Sequence, residues 1–291
     1  GSDLAIKTVY ETYIDPGDVV QVHLPSYAMQ EIYSKVFQAR LVTFSFDKHL
    51  CLDVDAYINA ITPKTRMVVL ENPNGFIGTI QTEKVIRAIV EKAHRHGVLM
   101  LLDEAYYLFS DQTVQPLYKE FDNVIITRTF SKDLGIAGLR CGYLLSQPQN
   151  IQSVYRVKPM HEITSAAVAF ALAMLENPDH IREFVREVQE GICYVRQALD
   201  ELGLTVAGGS GNFFVVYLGD EVDVPTIINY LKARGILIRR PFTSVNLRGW
   251  LRVGAGTTAQ MQKFVTAFAE ALEVAGWKRE LYQPLVVETD K

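Results

Sequence analysis

Asp103 closes the apolar run "VLMLLD" and so stands at the carboxyl edge of what reads as a buried strand. Open α/β sheets bind their ligands at that edge. An ionised carboxylate there needs a cation or several N–H donors around it. The plainer role is a helix cap or loop residue, and Asp103 by itself does not separate the two. Tyr106, in "DEAYY", reads by itself as a packing tyrosine. A second cluster lies in "TRTFSKDLGIAGLRCGY", where the hydroxyls of Thr129 and Ser131 lie beside Lys132 and Arg140 follows eight residues later. With glycines at 135, 138 and 142, this setting suits an anion or carbonyl site better than a solvated charge. A desolvated lysine can lower its pKa and form a Schiff base; a lone lysine on a loop is ordinarily a surface residue.

The elements that must position these groups alternate. Strands are predicted at Val19–Leu24, Leu41–Phe44, Met67–Leu70, Val98–Leu102 and Val124–Thr127, with helices near Ala28–Gln38, Val54–Ala60 and Glu83–His96. "VVL", "VLMLL" and "VIIT" are continuously apolar, as strands covered on both faces are. Thr82 or Gln81 can cap the third helix, and Gly97 sits where a glycine follows a helix end. This alternation predicts an α/β domain with a mostly parallel sheet. After about Gln149 the pattern changes. Helices are expected over Thr164–Leu175 and Asp179–Leu202, broken at Asn177-Pro178. Then come strands at Phe213–Leu218, Ile236–Arg239 and Trp250–Val253, and helices at Pro225–Arg234 and from Thr258 to about Ala275. The reading is a large domain over 1–155, and an interdomain helix with a smaller α+β domain over 156–291. The cleft between them is the expected ligand site.

Composition narrows the class. The chain has 291 residues, 48% hydrophobic and 21% charged, an ordinary globular balance. That length fits one large or two ordinary domains, at ~100–200 residues each. Lys and Arg total 29 against 33 Asp and Glu, for a net charge of −4, which offers no general attraction for nucleic acid. No apolar run reaches membrane-spanning length and no signal peptide is visible, so neither a membrane nor an export route is expected. Cys51, Cys141 and Cys193 are widely spaced, form no metal motif, and read as small packing residues of a cytoplasmic protein.

Taken together, these residues resemble fold-type-I pyridoxal-phosphate (PLP) enzymes of the class I/II aminotransferase family. The histidinol-phosphate aminotransferase and threonine-phosphate decarboxylase-like branch resembles the chain most. The resemblance rests on the order and spacing of motifs up to about residue 275. It implies that Asp103 serves the protonated pyridine nitrogen, Tyr106 the ring hydroxyl, Lys132 the Schiff base, and Arg140 the cofactor phosphate with Ser131 and Thr129. "GSD" resembles the family's phosphate turn, a helix N-terminus suited to an anion, which implicates Ser2 and Asp3. "LPSYAMQ" implicates Tyr27 as the aromatic stacked on the ring, "GNFFVV" implicates Asn212, and "LRVGAGT" implicates Arg252 as the grip on the substrate's anionic group. Arg156, Lys158 and His161 read first as solvated or capping residues, and the resemblance also allows them to face the cleft. The implied protein is a homodimer acting on a small amino substrate. It also implies several dozen residues ahead of Gly1, including a lid and a tyrosine that reaches the neighbouring subunit's cofactor.

One motif departs. The family's N-P-x-[NQ]-P-T-G loop reads "ENPNGFIGT", which puts Gly75 where an asparagine normally bonds the ring hydroxyl. Either Asn74 shifts to make that bond or the bond is missing. The departure keeps open a PLP-dependent decarboxylase, a cyclase similar to capreomycidine synthase, or an amino-acid oxidase beside an aminotransferase. A PLP-sensing regulatory domain is a third class.

Overall fold

The computed structural model describes residues 1–110 and 112–287. In the first half, helix and strand alternate as α1 (Ser2–Tyr13), β1 (Val19–Leu24), α2 (Ala28–Val36), β2 (Arg40–Ser45), α3 (Val54–Asn59), β3 (Thr65–Glu71), α4 (Glu83–Arg95) and β4 (Leu99–Asp103). The run continues with α5 (Leu117–Glu120), β5 (Val124–Thr129) and β6 (Gly142–Ser146). These strands form one sheet in the order β2-β1-β3-β4-β5-β6. All neighbours are parallel except β5 and β6. The five expected strands therefore form, at or close to their expected bounds. The sequence reading has no strand at β6, because an edge strand that is half-buried along its length carries no continuous apolar signal.

Burial on both faces explains the sheet's composition. Val68, Leu70, Met100, Leu102 and Ile126 pack on one face against Tyr57 of α3 and Ile86, Ile89 and Val90 of α4. Met67, Val69, Leu101 and Ile125 pack on the other against Ile6, Val9 and Tyr10 of α1 and Tyr33 of α2. Each such side chain contributes about 1.5–3 kcal/mol of hydrophobic stabilisation. α4 begins at Thr82, whose hydroxyl accepts from the Val85 N–H at 3.4 Å, and Gly97 follows its end at φ 67°.

In the second half, α6 (Pro148–Val157), α7 (Ser165–Glu176) and α8 (Pro178–Glu201) precede a three-stranded antiparallel sheet, ordered β7 (Thr205–Gly208), β8 (Phe213–Tyr217), β9 (Trp250–Gly254). Asn177 ends α7, and Pro178 opens α8, where a missing N–H costs nothing. α9 (Val224–Ala233) and α10 (Thr258–Val274) complete the unit. Val188, Ile192 and Val195 of α8 share a core with Phe264 and Phe268 of α10. Ala207, Val215, Tyr217 and Trp250 join the core of the large sheet, so the small sheet is seated on its face.

Two expectations are corrected. Ile236–Arg239 forms no strand: Ile236 and Ile238 pack on the core of the small domain, but the segment pairs with neither sheet and Leu237 between them is 79% exposed. Cys193 is exposed rather than packed.

Beside Asp103, Glu104 is buried and paired with Arg128 of β5, whose Nε and Nη2 donate to Glu104 Oε2 at 2.8 and 2.6 Å. Thr113 and the Val114 N–H also donate to Glu104. Arg128→Met leaves that carboxylate buried without its cation. Urea unfolding should then show a loss of about 3–5 kcal/mol, and a loss below ~1 kcal/mol would show that the pair does not hold this strand exit.

Candidate active site

The sheet changes direction between β1 and β3: β2 lies beyond one of them and β4 beyond the other. Ligands bind outside the carboxyl ends of strands at such a point. Here β1 runs out into Pro25-Ser26-Tyr27, β3 ends at Glu71 and β4 at Asp103. Tyr27, Glu71 and Asp103 wall a cavity of about 500 Å³, a size that accepts a small molecule.

One end of the cavity is built for an anion. The first turn of α1, with Ser2 and Asp3, faces Thr129, Ser131 and Arg140. No side chain caps that turn, so its N–H groups and the helix dipole are open to a negative ligand. Thr129 Oγ1 lies 2.9 Å from Ser131 Oγ and accepts from the Ser131 N–H. Arg140 holds a left-handed backbone, φ 55°, which an arginine seldom adopts. A Cβ at Gly142 would lie 2.6 Å from the Ser2 nitrogen, so only glycine lets β6 pass the start of α1. Asp3 accepts from the Tyr33 hydroxyl at 2.8 Å, which ties α1 to α2.

The middle of the cavity holds Asp103, Tyr106, Tyr27 and Lys132. Asp103 is 5% exposed and accepts from Thr127 Oγ1 at 3.0 Å. Burial first, and the negative charge of Glu71 second, push its carboxyl up to about 7. Lys132 Nζ stands 5.4 Å from the centre of the Tyr106 ring, and that ring meets Phe213 edge-on. Burial, then Asp3, push the Tyr27 hydroxyl up to about 12, so it stays neutral. Asp133, next to Lys132, is fully buried and is also pushed up to about 7 by burial.

Asn212, Phe213 and Arg252 supply the far wall from the small sheet and its turn. Arg252 lies over the Phe213 ring, 3.8 Å from its centre, and Nη2 donates to the Gly75 carbonyl at 3.2 Å. Its Nε is buried with no hydrogen-bond partner among the described residues. A cation held this way, with donors to spare, suits a carboxylate or phosphate.

The structure thus brings eleven of the twelve expected site residues to one cavity and leaves out Asn74. Asn74 is buried behind the loop. Its amide donates to the Pro25 carbonyl at 2.9 Å, and its oxygen accepts from the N–H groups of Phe76 and Ile77. That amide is already engaged at both its nitrogen and its oxygen and organises the turn. Arg156, Lys158 and His161 do not line the cavity either; Lys158 pairs with Glu162 at 2.8 Å. Two charged lining residues escaped the sequence reading. Arg239 arrives on the irregular stretch after α9, where no motif marks it. Glu71 ends "MVVLE" just as Asp103 ends "VLMLLD", the same signal left unused. Among the described residues no group of His, Cys, Asp or Glu is arranged to hold a metal, and no helix is long and apolar enough to cross a membrane.

Comparison with known proteins agrees with this architecture. The profile of the aminotransferase class I and II family matches residues 1–268. The chain belongs to that family, the PLP-dependent transferases its motifs resemble. It is 31% identical over 274 residues to the histidinol-phosphate aminotransferase of Akkermansia muciniphila, covering 94% of this chain and 74% of that one. It is also 31% identical over 279 residues to the histidinol-phosphate aminotransferase of Methanopyrus kandleri, covering 94% and 71%. The crystal structure of histidinol-phosphate aminotransferase from Sinorhizobium meliloti, in complex with pyridoxal-5'-phosphate, shares the fold. Its TM-score is 0.86 at 24% identity, over 94% of this chain and 76% of that one.

Asp103 sets a pH dependence of the cofactor-free protein. Folded Asp103 keeps its proton up to about pH 7, whereas an unfolded aspartate has lost it near pH 4. The folded state therefore binds more protons in that window, and stability falls as pH rises through it. Asp103→Asn should flatten this fall in urea unfolding free energies measured from pH 4 to 8. Asp133 acts in the same direction in both proteins and leaves a residual slope. Equal slopes would show that Asp103 is ionised when buried.

Proposed function

We propose that this enzyme transfers the amino group of an amino acid or amino phosphate, with Lys132 bonding PLP and Arg252 gripping the substrate's anionic group. The observation that carries this reading is the convergence of Asp103 from the end of β4, Lys132 from the loop after β5 and Arg252 from the middle of β9 on one cavity. The names of the relatives favour an amino phosphate. The residues suit PLP on structural grounds: an uncapped helix turn with Thr129, Ser131 and Arg140 for its phosphate, a buried carboxylate for its ring nitrogen, and an amine between them.

When bound, PLP supplies an electron sink for a carbanion at the substrate's α-carbon. The remaining work falls to side chains. Asp103, raised by burial, is drawn back to its charged form by a cationic ring nitrogen and keeps that nitrogen protonated. Lys132 Nζ moves a proton to and from the substrate's α-carbon. Tyr27 and Tyr106 confine the ring. Arg252 fixes the substrate's orientation through a planar fork that lysine lacks.

The same reading places two domains about residue 155, a homodimer, and a cytoplasmic enzyme. Tyr155, Met160, Phe170 and Leu172 are exposed apolar side chains, and a second copy would cover such a surface. A second chemical outcome, that of a decarboxylase, cyclase or oxidase, rests on Gly75, which offers no side chain to the ring. Amine donors tested against 2-oxo acids distinguish the two, since only transamination leaves the aminated cofactor.

Lys132→Ala should abolish covalent retention of PLP: after borohydride reduction, the wild-type peptide containing residue 132 carries the cofactor mass and the variant carries none. Arg252→Lys should raise KM about tenfold or more, or ~1.4 kcal/mol, with a smaller change in kcat. Unchanged KM removes Arg252 from substrate recognition.

A further inference from the structure

β3 and β4 end side by side on two carboxylates, Glu71 and Asp103, which are partners in the strand register. Glu71 is 5% exposed. Its Oε1 accepts from Ser26 Oγ at 2.5 Å and from the Tyr27 N–H, and its Oε2 accepts from the Gly75 N–H at 3.1 Å. An ionised carboxylate has about four acceptor positions. Three are filled by protein, and Glu71 also lines the cavity.

Gly75 shows where the fourth lies. A Cβ built on Gly75 would stand 3.3 Å from Glu71 Oε2 and 3.3 Å from the Tyr106 ring. The space that a side chain at position 75 would enter is therefore bordered by the Glu71 carboxylate on one side and Tyr106 on the other. A side chain at 75 and a carboxylate at 71 compete for one place.

We propose that Glu71 accepts the hydrogen bond of the cofactor's ring hydroxyl, in place of the amide donor that an asparagine at position 75 would offer. The proposal rests on the reading that PLP lies with its ring hydroxyl at Tyr106. It reverses the polarity of that contact. A donor favours a ring oxyanion, whereas an ionised carboxylate only accepts and so holds the proton on the ring oxygen. The groups facing Glu71 are His23 from β1, Tyr57 from α3, Tyr27 before α2, Asp103 from β4, Tyr106 and, through the Gly75 peptide, Arg252. His23 Nε2 accepts from the Glu71 N–H, and burial lowers its pKa, so it adds no positive charge. Burial raises Tyr57, which also stays neutral.

The test compares the near-ultraviolet and visible absorbance of the PLP-loaded enzyme at one fixed pH, with bound PLP measured in parallel by dialysis. The wild type should favour the near-ultraviolet form with a protonated ring oxygen. Glu71→Gln should raise, by about tenfold or more, the ratio of the visible-absorbing form, in which the ring oxygen is anionic and its proton has moved to the nitrogen bonded to Lys132, over the near-ultraviolet form. Gly75→Asn, which offers an amide in the place Glu71 faces while leaving residue 71 a glutamate, should shift it the same way. This variant serves as the test if Glu71→Gln does not fold. A wild type that binds PLP through Lys132 but gives the same absorbance ratio as both variants overturns the role of Glu71 alone. A wild type that retains no PLP at Lys132 overturns this role and the assignment of the cofactor site together.

Discussion

Negative charge held almost out of water at the ends of two adjacent strands is the constraint on which the rest of the site depends. A buried carboxylate is tolerated only with donors, a cation or a proton. The two carboxylates meet this requirement differently. Glu71 is surrounded by three donors from the two loops that follow β1 and β3. Asp103 has the Thr127 hydroxyl and is pushed toward its protonated form by burial and by Glu71. Asp103 is therefore the member of the pair whose charge a ligand can change. A cationic ring nitrogen placed against it would favour its charged form.

The fold supplies the rigidity this arrangement needs. β3, β4 and β5 are buried over nearly their whole length, so their ends are displaced only at the cost of core contacts. The Glu104–Arg128 pair ties the segment after β4 to β5 immediately beside Asp103. On the anion side, α1 is fixed by its apolar face against the sheet and by the Tyr33 bond to Asp3. The small sheet, seated on the large one through Val215 and Trp250, carries Arg252 to the opposite wall. Side chains from positions as distant as 2 and 252 thus meet without any single loop having to hold them.

What was legible in the sequence follows from which signals are local. Continuous apolar runs revealed the buried strands, and Asn177-Pro178 marked a real helix break. The half-buried edge strand β6 left no trace, and the apolar residues around Leu237 suggested a strand, where Ile236 and Ile238 pack on the core without pairing in either sheet. Asp103, Lys132 and Arg140 sit in motifs whose order could be read. Asn74 was misplaced because a one-residue shift in a loop seems small along the chain. In space, that amide is wedged against Pro25 and the turn it organises. Glu71 carries the same strand-end signature as Asp103, but no motif follows it that marks a ligand-facing carboxylate.

That altered loop is the strongest evidence that the missing side chain at 75 is an integrated change rather than drift. Here the Gly75 N–H donates to Glu71 and the Gly75 carbonyl accepts from Arg252. One peptide unit is held between an anion and a cation of the same cavity. A side chain at 75 would press on Glu71 and on Tyr106. Glycine at 75, glutamate at 71 and the reach of Arg252 consequently form one arrangement, and replacing any of the three changes the surroundings of the other two.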